Sequence, residues 1–454
     1  MNLRALGRPF AIRPAPAKRV IGLAYPVVLG SLSTTLLTAV DTIMLGRLGQ
    51  APLAASGIAG VLFFALTFAL GSLSVGVQTL AARRFGEGRL EQCGEVLRTG
   101  LVLSAALGLP LVAAAPWIAK WASPLLSRDL DVARLGSQYL EFRLYGAAFA
   151  FFSWTYAAFF AGIGETRQQL RNSILVTLAN IVLDYGLIFG RLGLPRMEVA
   201  GAALASTIAV ATGVVFYLAV TLTARVRRAY APYHGKTALT AWLRPIARLS
   251  LPVAAQRVMS HGSWFAFFFV ASRIGTVELA ATNVIRSIYS LTIMLAVGMG
   301  TAAQSLVGQS LGAKKPNDAS AYAWEATRLA AYAMAAMGLL FVLAPGALLR
   351  LYTAEPSVIA AGRGPLFWLG FVQAFAGAAL VLSQSLQGAG NTRFVFAVEF
   401  CVCVFLYLPT VYFLGLRTPL GLAGAWIGEY VYWTAMALVM ALKFRTGSWK
   451  TIRV

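Results

Sequence analysis

Charge is scarce in this 454-residue chain: only 12% of its residues are Asp, Glu, Lys or Arg. A soluble domain carries about a quarter, so a water-exposed globular surface is excluded. Acids are scarcer still, 16 against 38 basic residues. Histidine occurs only at His234 and His261, which leaves no His-based metal cluster and no nucleophile–base pair for a membrane-embedded enzyme. Cys93, Cys401 and Cys403 lack metal-ligand spacing and form no disulfide framework, so they read as packing thiols. The net charge of +22 comes without a basic helix or an aromatic–basic motif, and nucleic acid is not an expected partner.

What the chain has instead is apolar sequence, with mean hydropathy +0.72. Runs separated by short charged or Gly/Pro turns predict an all-α membrane protein of twelve spans. They lie at 20–46, 53–82, 99–119, 136–161, 170–190, 197–224, 249–272, 279–310, 327–349, 364–388, 394–416 and 418–442. With the N-terminus placed in the cytosol, 25 Lys and Arg fall inside, ten outside and three (Arg143, Arg257, Arg286) within spans. That bias follows the positive-inside rule and puts both termini in the cytosol. The basic, proline-broken segment 1–19 is a cytosolic flank without a small-residue cleavage site, not a removable signal peptide. Residues 20–224 then form an N-lobe, 225–248 a cytosolic connector, 249–442 a C-lobe, and 443–454 a cytosolic tail.

The two lobes repeat one text. A single constant shift in numbering superimposes Pro26 on Pro252, Arg47 on Arg273, Gly49 on Gly275, Gln78 on Gln304 and Gly86 on Gly312. It also superimposes Gly162, Gly164, Thr166 and Arg167 on Gly388, Gly390, Thr392 and Arg393. Six crossings per copy is even, so the copies are parallel and related by an axis along the membrane normal. Asp41 pairs with Phe267 under the same shift, so its acid belongs to the N-lobe alone.

Val20–Gly49 contains two residues that an inert anchor would not keep. Pro26 removes a backbone donor and weakens the helix, which makes it a hinge. Asp41 places a carboxyl in hydrocarbon, where an ionised acid costs about 2.5–3.5 kcal/mol. In the fifth span Asp184 lies seven residues before Arg191, about 10 Å below the outer surface. Asp41 lies six before Arg47, about 9 Å down. Asn180 sits one turn from Asp184 on the same face. Two acids and an amide at one depth can hold a proton, or offer oxygens to a small hard cation such as Na⁺.

VDTIMLGRLG in the first span, GETRQQLRNSILVTLANIVLDYGLIFG in the fourth loop and fifth span, and GAGNTRFVF in the second copy resemble the MATE family, closest to its DinF-like branch. The resemblance covers essentially the whole chain. It implies a twelve-helix secondary exporter of organic, often cationic compounds, driven by H⁺ or Na⁺, in the bacterial inner membrane. It also implies that Asp41, Asn180 and Asp184 form an N-lobe cation site, that Tyr139 stands beside it and that Pro26 bends on protonation. The family site often includes a sixth-span hydroxyl, whereas Ala202 and Ala203 stand here with Ser206 and Thr207 further along, which favours H⁺. Small-molecule substrates and the bilayer are the expected partners, with no cofactor and no need for a second subunit.

Other intramembrane polar residues have plainer readings. Glu429 is a candidate C-lobe cation or substrate contact, or a paired structural acid. Glu399, six residues from Arg393, suits a salt bridge or a snorkelling role. His261 shares a face with Arg257 and reads as a packing histidine. Gln78 and Gln304 occur in both copies and so suit a common packing role. Trp264, Phe267–Val270, Met294 and Met299 read as lipid-facing filler more readily than as a drug cavity. The competing transport reading is a lipid-linked precursor or polysaccharide flippase. A passive channel is the other, and the broken first helix and absence of a repeated pore ring argue against it.

Overall fold

The computed structural model describes residues 12–233 and 240–452. The flank up to residue 11, positions 234–239 of the connector with His234, and the last two residues lie outside the described residues. The described chain is helical throughout, without strands. Its contacts separate two units. The N-unit runs from Leu29 to Ala254; the C-unit comprises the chain up to Val28 and from Ala255 onward.

The divisions therefore fall inside helices α1 (Pro14–Gly46) and α11 (Thr240–Ile274), each shortly past an internal proline, Pro26 or Pro252. Ala255 is the counterpart of Leu29 under the shift that aligns the prolines, so the division obeys the sequence repeat. Each helix start is held by a buried acid. In the C-unit, Glu325 accepts the backbone N–H of Arg13 at 2.9 Å and an ion pair from Arg328. In the N-unit, Glu95 accepts the indole N–H of Trp242 at 3.0 Å.

The N-unit contains α2 (Gln50–Phe68), α3 (Leu73–Gly86), α4 (Leu90–Ala113), α5 (Ala115–Leu126), α6 (Leu130–Tyr145), α7 (Ala147–Gly162), α8 (Thr166–Phe189), α9 (Glu198–Leu222) and α10 (Ala224–Tyr230). Here α8 packs along α9, α7 on α3 and α4, and α6 on α2. The C-unit contains α12 (Thr276–Gly312), α13 (Pro316–Leu343), α14 (Pro345–Arg350), α15 (Pro356–Gly388), α16 (Thr392–Val402), α17 (Leu408–Leu416) and α18 (Gly421–Thr446). In it α15 packs against α12, α13 and α18.

All twelve expected spans coincide with helix, though not all as single rods. Among the described residues ten helical stretches are long and apolar enough to cross a bilayer, Thr392–Leu416 counted as one, and α6 with α7, bent by 47°, match that length and composition as a pair. The expected span 249–272 lies within the 35-residue α11, where Gln256, Arg257 and His261 dilute the apolar run. Span 53–82 breaks at the 3₁₀ turn Leu70–Ser72. A Cβ at Gly71 would sit 2.4 Å from the Trp154 ring, so the turn lets that ring lie on bare backbone. Span 327–349 stops at Leu343 because Pro345 restarts the chain as α14.

The repeat is visible in close packing. A Cβ at Gly162 would meet the Gln78 carbonyl oxygen at 2.8 Å, and one at Gly388 would meet the Gln304 carbonyl oxygen at 2.3 Å. These two glycine–backbone crossings are the same contact, made once in each copy. We expect Gly388→Ala to force that crossing open and cost about 1–3 kcal/mol. Gly162→Ala should cost less, having more room. Thermal unfolding of the solubilised protein checks both, and an unchanged midpoint for Gly388→Ala contradicts the packing.

Candidate functional site: a buried carboxyl pair

The end of α1 and the last third of α8 meet within the N-unit. Gly30 brings the two helices together, since a Cβ there would stand 3.0 Å from Ser173 Oγ. Thr177 Oγ1 fastens them by donating to the Ser33 carbonyl at 3.3 Å. α8 ends at Gly190 with φ 67, whose N–H caps the Gly186 carbonyl. That left-handed conformation suits glycine and fixes how far Asp184 lies from the helix end.

This packing puts the carboxyl groups of Asp41 and Asp184 within hydrogen-bonding range of each other. Asp184 is fully buried and Asn180 nearly so. Asn180 Nδ2 donates to Asp184 Oδ2. One oxygen of each acid, Asp41 Oδ1 and Asp184 Oδ1, is buried and accepts no hydrogen bond from the protein. Buried acceptors are almost always paired, and two orphaned lone pairs in one pocket ask for a proton or a small cation.

Tyr139 of α6 stands within electrostatic reach of both acids and packs with Met44, Leu45 and Ile188. One turn along α6, Arg143 lies close enough to act on both carboxyls and on Tyr139. Its guanidinium stacks over Phe63 at 4.5 Å. The sequence reading counted Arg143 only as a basic residue inside a span. Its place four residues after Tyr139, on the same helical face, was the signal that it belonged to the site.

Ala202 and Ala203 are buried apolar positions. Further along α9, Thr207 Oγ1 donates to the Phe142 carbonyl at 2.8 Å. On the exposed face of α1, Thr34, Thr38 and Thr42 form a hydroxyl stripe next to Asp41. Each donates to the carbonyl four residues back, at 3.2, 3.1 and 2.7 Å. Such bonds compete with the helix ladder and favour bending. Pro26 is buried within α1, which stays helical through it.

Glu429 belongs to the other unit and does not join these residues. It is buried, takes the Trp433 indole N–H at 2.7 Å, and lies beside Tyr407 on the π-helical turn Cys403–Tyr407. Glu399 was expected to pair with Arg393 or to snorkel. It is instead buried against Gln256, which donates to it and in turn accepts from Gln387 at 3.1 Å. A neutral amide relay costs less desolvation there than an ion pair. His261 Nδ1 lies 2.9 Å from the Arg257 carbonyl within α11. Among the described residues no three His, Cys, Asp or Glu side chains cluster as a metal site.

The MatE family model matches residues 26–186 and 252–443, each segment opening on the proline of its repeat. The chain is 24% identical over 440 residues to "Probable multidrug resistance protein NorM" of Thermotoga maritima, covering 96% of this chain and 94% of that one. It is 28% identical over 462 residues to "Multidrug resistance protein NorM" of Burkholderia vietnamiensis, covering 98% and 97%. Its fold is shared with a MOP superfamily transporter from Pyrococcus furiosus (TM-score 0.87, 22% identity, 96% of each chain). It is shared equally with a MATE protein solved in a bent conformation (TM-score 0.86, 22% identity, 95% of this chain and 95% of that one). Both copies of the repeat fall inside the family match, and the chain belongs to the MatE family, whose members are membrane transporters rather than enzymes.

Proposed function

We propose that this transporter is a secondary active exporter of organic compounds, of the DinF-like branch, coupled to inward movement of H⁺ at Asp41 and Asp184. The observation that carries the reading is the facing carboxyl pair with one orphaned oxygen on each acid. Two carboxyls at this range hold a proton between them more readily than two negative charges. Na⁺ at Asp41, Asn180 and Asp184 is the competing coupling ion. Arg143 already supplies positive charge there, and α9 offers alanines where a hydroxyl ligand would stand, so H⁺ is preferred. The multidrug-resistance names of the relatives support drug-like substrates.

In the proposed cycle, protons arriving from outside neutralise the pair, and Tyr139 and Arg143 adjust around the lost charge. α1 then flexes near Pro26, about 22 Å along the helix from Asp41, and bound compound is released outward. Facing the cytosol, the pair returns its protons. Alternating access in the cytoplasmic membrane, with both termini inside and one copy of the chain sufficient, completes the reading.

The test is transport in proteoliposomes driven separately by an imposed ΔpH and by a Na⁺ gradient. Wild type should accumulate a fluorescent organic cation under ΔpH alone, and Asp41→Asn and Asp184→Asn should each fall at least about tenfold, the rate equivalent of about 1.4 kcal/mol. Undiminished ΔpH-driven transport by Asp41→Asn ends the model; transport under Na⁺ alone replaces the ion. Asn180→Ala removes the donor to a fully buried acid and should cost about 1–3 kcal/mol in thermal unfolding. In an Asp184→Ala background that cost should shrink, because the pair is the interaction being lost.

A further inference from the structure

Arg286 lies on α12, eleven residues beyond Gly275, about 16 Å along the helix. That is deeper than Asp41 lies on α1 and too deep for its stem to reach the outer surface. Among the described residues no ion pair includes it. Its guanidinium rests instead on two rings of α11, 5.6 Å from Trp264 and 5.3 Å from Phe268. The rings hold the fork's plane and leave its N–H edge free for an acceptor.

The face that carries it is not one for lipid tails. From 283 to 290 the exposed positions are Asn283, Arg286, Ser287 and Ser290, all polar, before the face turns apolar at Leu291. The exposed face of α8, by contrast, is Ile174, Leu178, Val182 and Tyr185. An exposed polar stripe with an ionisable residue inside a span marks a wet substrate path. Ser287 and Ser290 spend their hydroxyl donors, and Asn283 one of its two amide N–H groups, on carbonyls of their own helix, at 3.0, 2.8 and 3.1 Å. Arg286 is the charged donor of the stripe.

We propose that Arg286, backed by Trp264 and Phe268, is a binding site for the oxyanion of an aromatic amphiphile, a carboxylate or sulfonate, so that the exporter accepts anionic and zwitterionic solutes. The repeat sharpens the point. Trp264 and Phe268 flank Phe267, the position that Asp41 holds in the other copy, so where one copy carries an acid the other carries aromatics and a cation. This deepens the export reading and rests on it for transport. Binding is measured without any gradient, so it stands or falls separately from H⁺ coupling.

The test titrates 2-naphthalenesulfonate, and its neutral sulfonamide, into the full chain in phosphatidylcholine nanodiscs by calorimetry. Arg286→Gln should weaken the sulfonate at least about tenfold and leave the sulfonamide within about twofold. Arg286→Lys, which restores charge but not the fork, should recover only part of the loss. Equal sulfonate affinity in wild type and Arg286→Gln overturns the proposal, as does parallel loss of the sulfonamide. Repetition in phosphatidylglycerol nanodiscs separates solute from lipid headgroup. An unchanged ratio between the two proteins supports the solute. A wild-type loss that Arg286→Gln does not share assigns the site to the lipid phosphate and overturns the solute reading.

Discussion

A charge placed where water is scarce must find a partner or give up its charge, and that constraint orders the polar chemistry of this protein. The C-unit acids obey it by taking neutral donors. Glu399 takes an amide from Gln256, and Glu429 takes an indole N–H from Trp433. Glu325 is the exception: it holds the start of α1, taking a backbone N–H and a guanidinium. In the N-unit the constraint is met differently. Asp41 and Asp184 face each other, Asp184 alone takes the Asn180 amide, and each acid keeps one orphaned oxygen. Among buried acids so well provided for elsewhere, this pair is the one left with unsatisfied oxygens facing each other.

Duplication supplies the scaffold and divergence supplies the chemistry. The glycine crossings at Gly162 and Gly388, the prolines at 26 and 252, and the unit divisions beyond them all keep one spacing. Backbone packing of this kind depends on the absence of a side chain, so it survives only if the residue does not change. Ionisable residues answer to no such packing rule. Asp41 has become Phe267 in the second copy, and the second copy carries Arg286 nearby on α12, stacked on Trp264 and Phe268. One fold thus presents an acid in one unit and a base in the other.

The architecture was largely legible because hydrocarbon imposes length and composition on every span. The breaks were not. The turn at Leu70–Ser72 depends on Trp154 reaching Gly71 from α7, far along the chain, and periodicity carries no record of such a contact. The site was legible in its acids, because Asp41 and Asp184 are costly at matched depth. Arg143 was missed because a basic residue in a span was counted as charge rather than placed on the face of Tyr139. Glu399 was assigned to Arg393 by proximity in the chain, whereas burial favours the amide of Gln256 on another helix.

The exchange of helix starts decides how the two ends of α1 are held. Residues of α1 up to Val28 pack with the C-unit, where Val20 and Ala24 join Ala302, Leu306 and Ala326. Residues from Leu29 onward pack with the N-unit, down to the Asp41 pocket. The changeover comes just after the proline, at the weakest point of the helix ladder. Between there and Asp41, the Thr34, Thr38 and Thr42 hydroxyls load successive turns with competing bonds. A helix held at its start by Glu325 and at its end by the carboxyl pair has its soft stretch between the two. Any change at Asp41 therefore acts on a helix whose two ends are held in different units, before any substrate is considered.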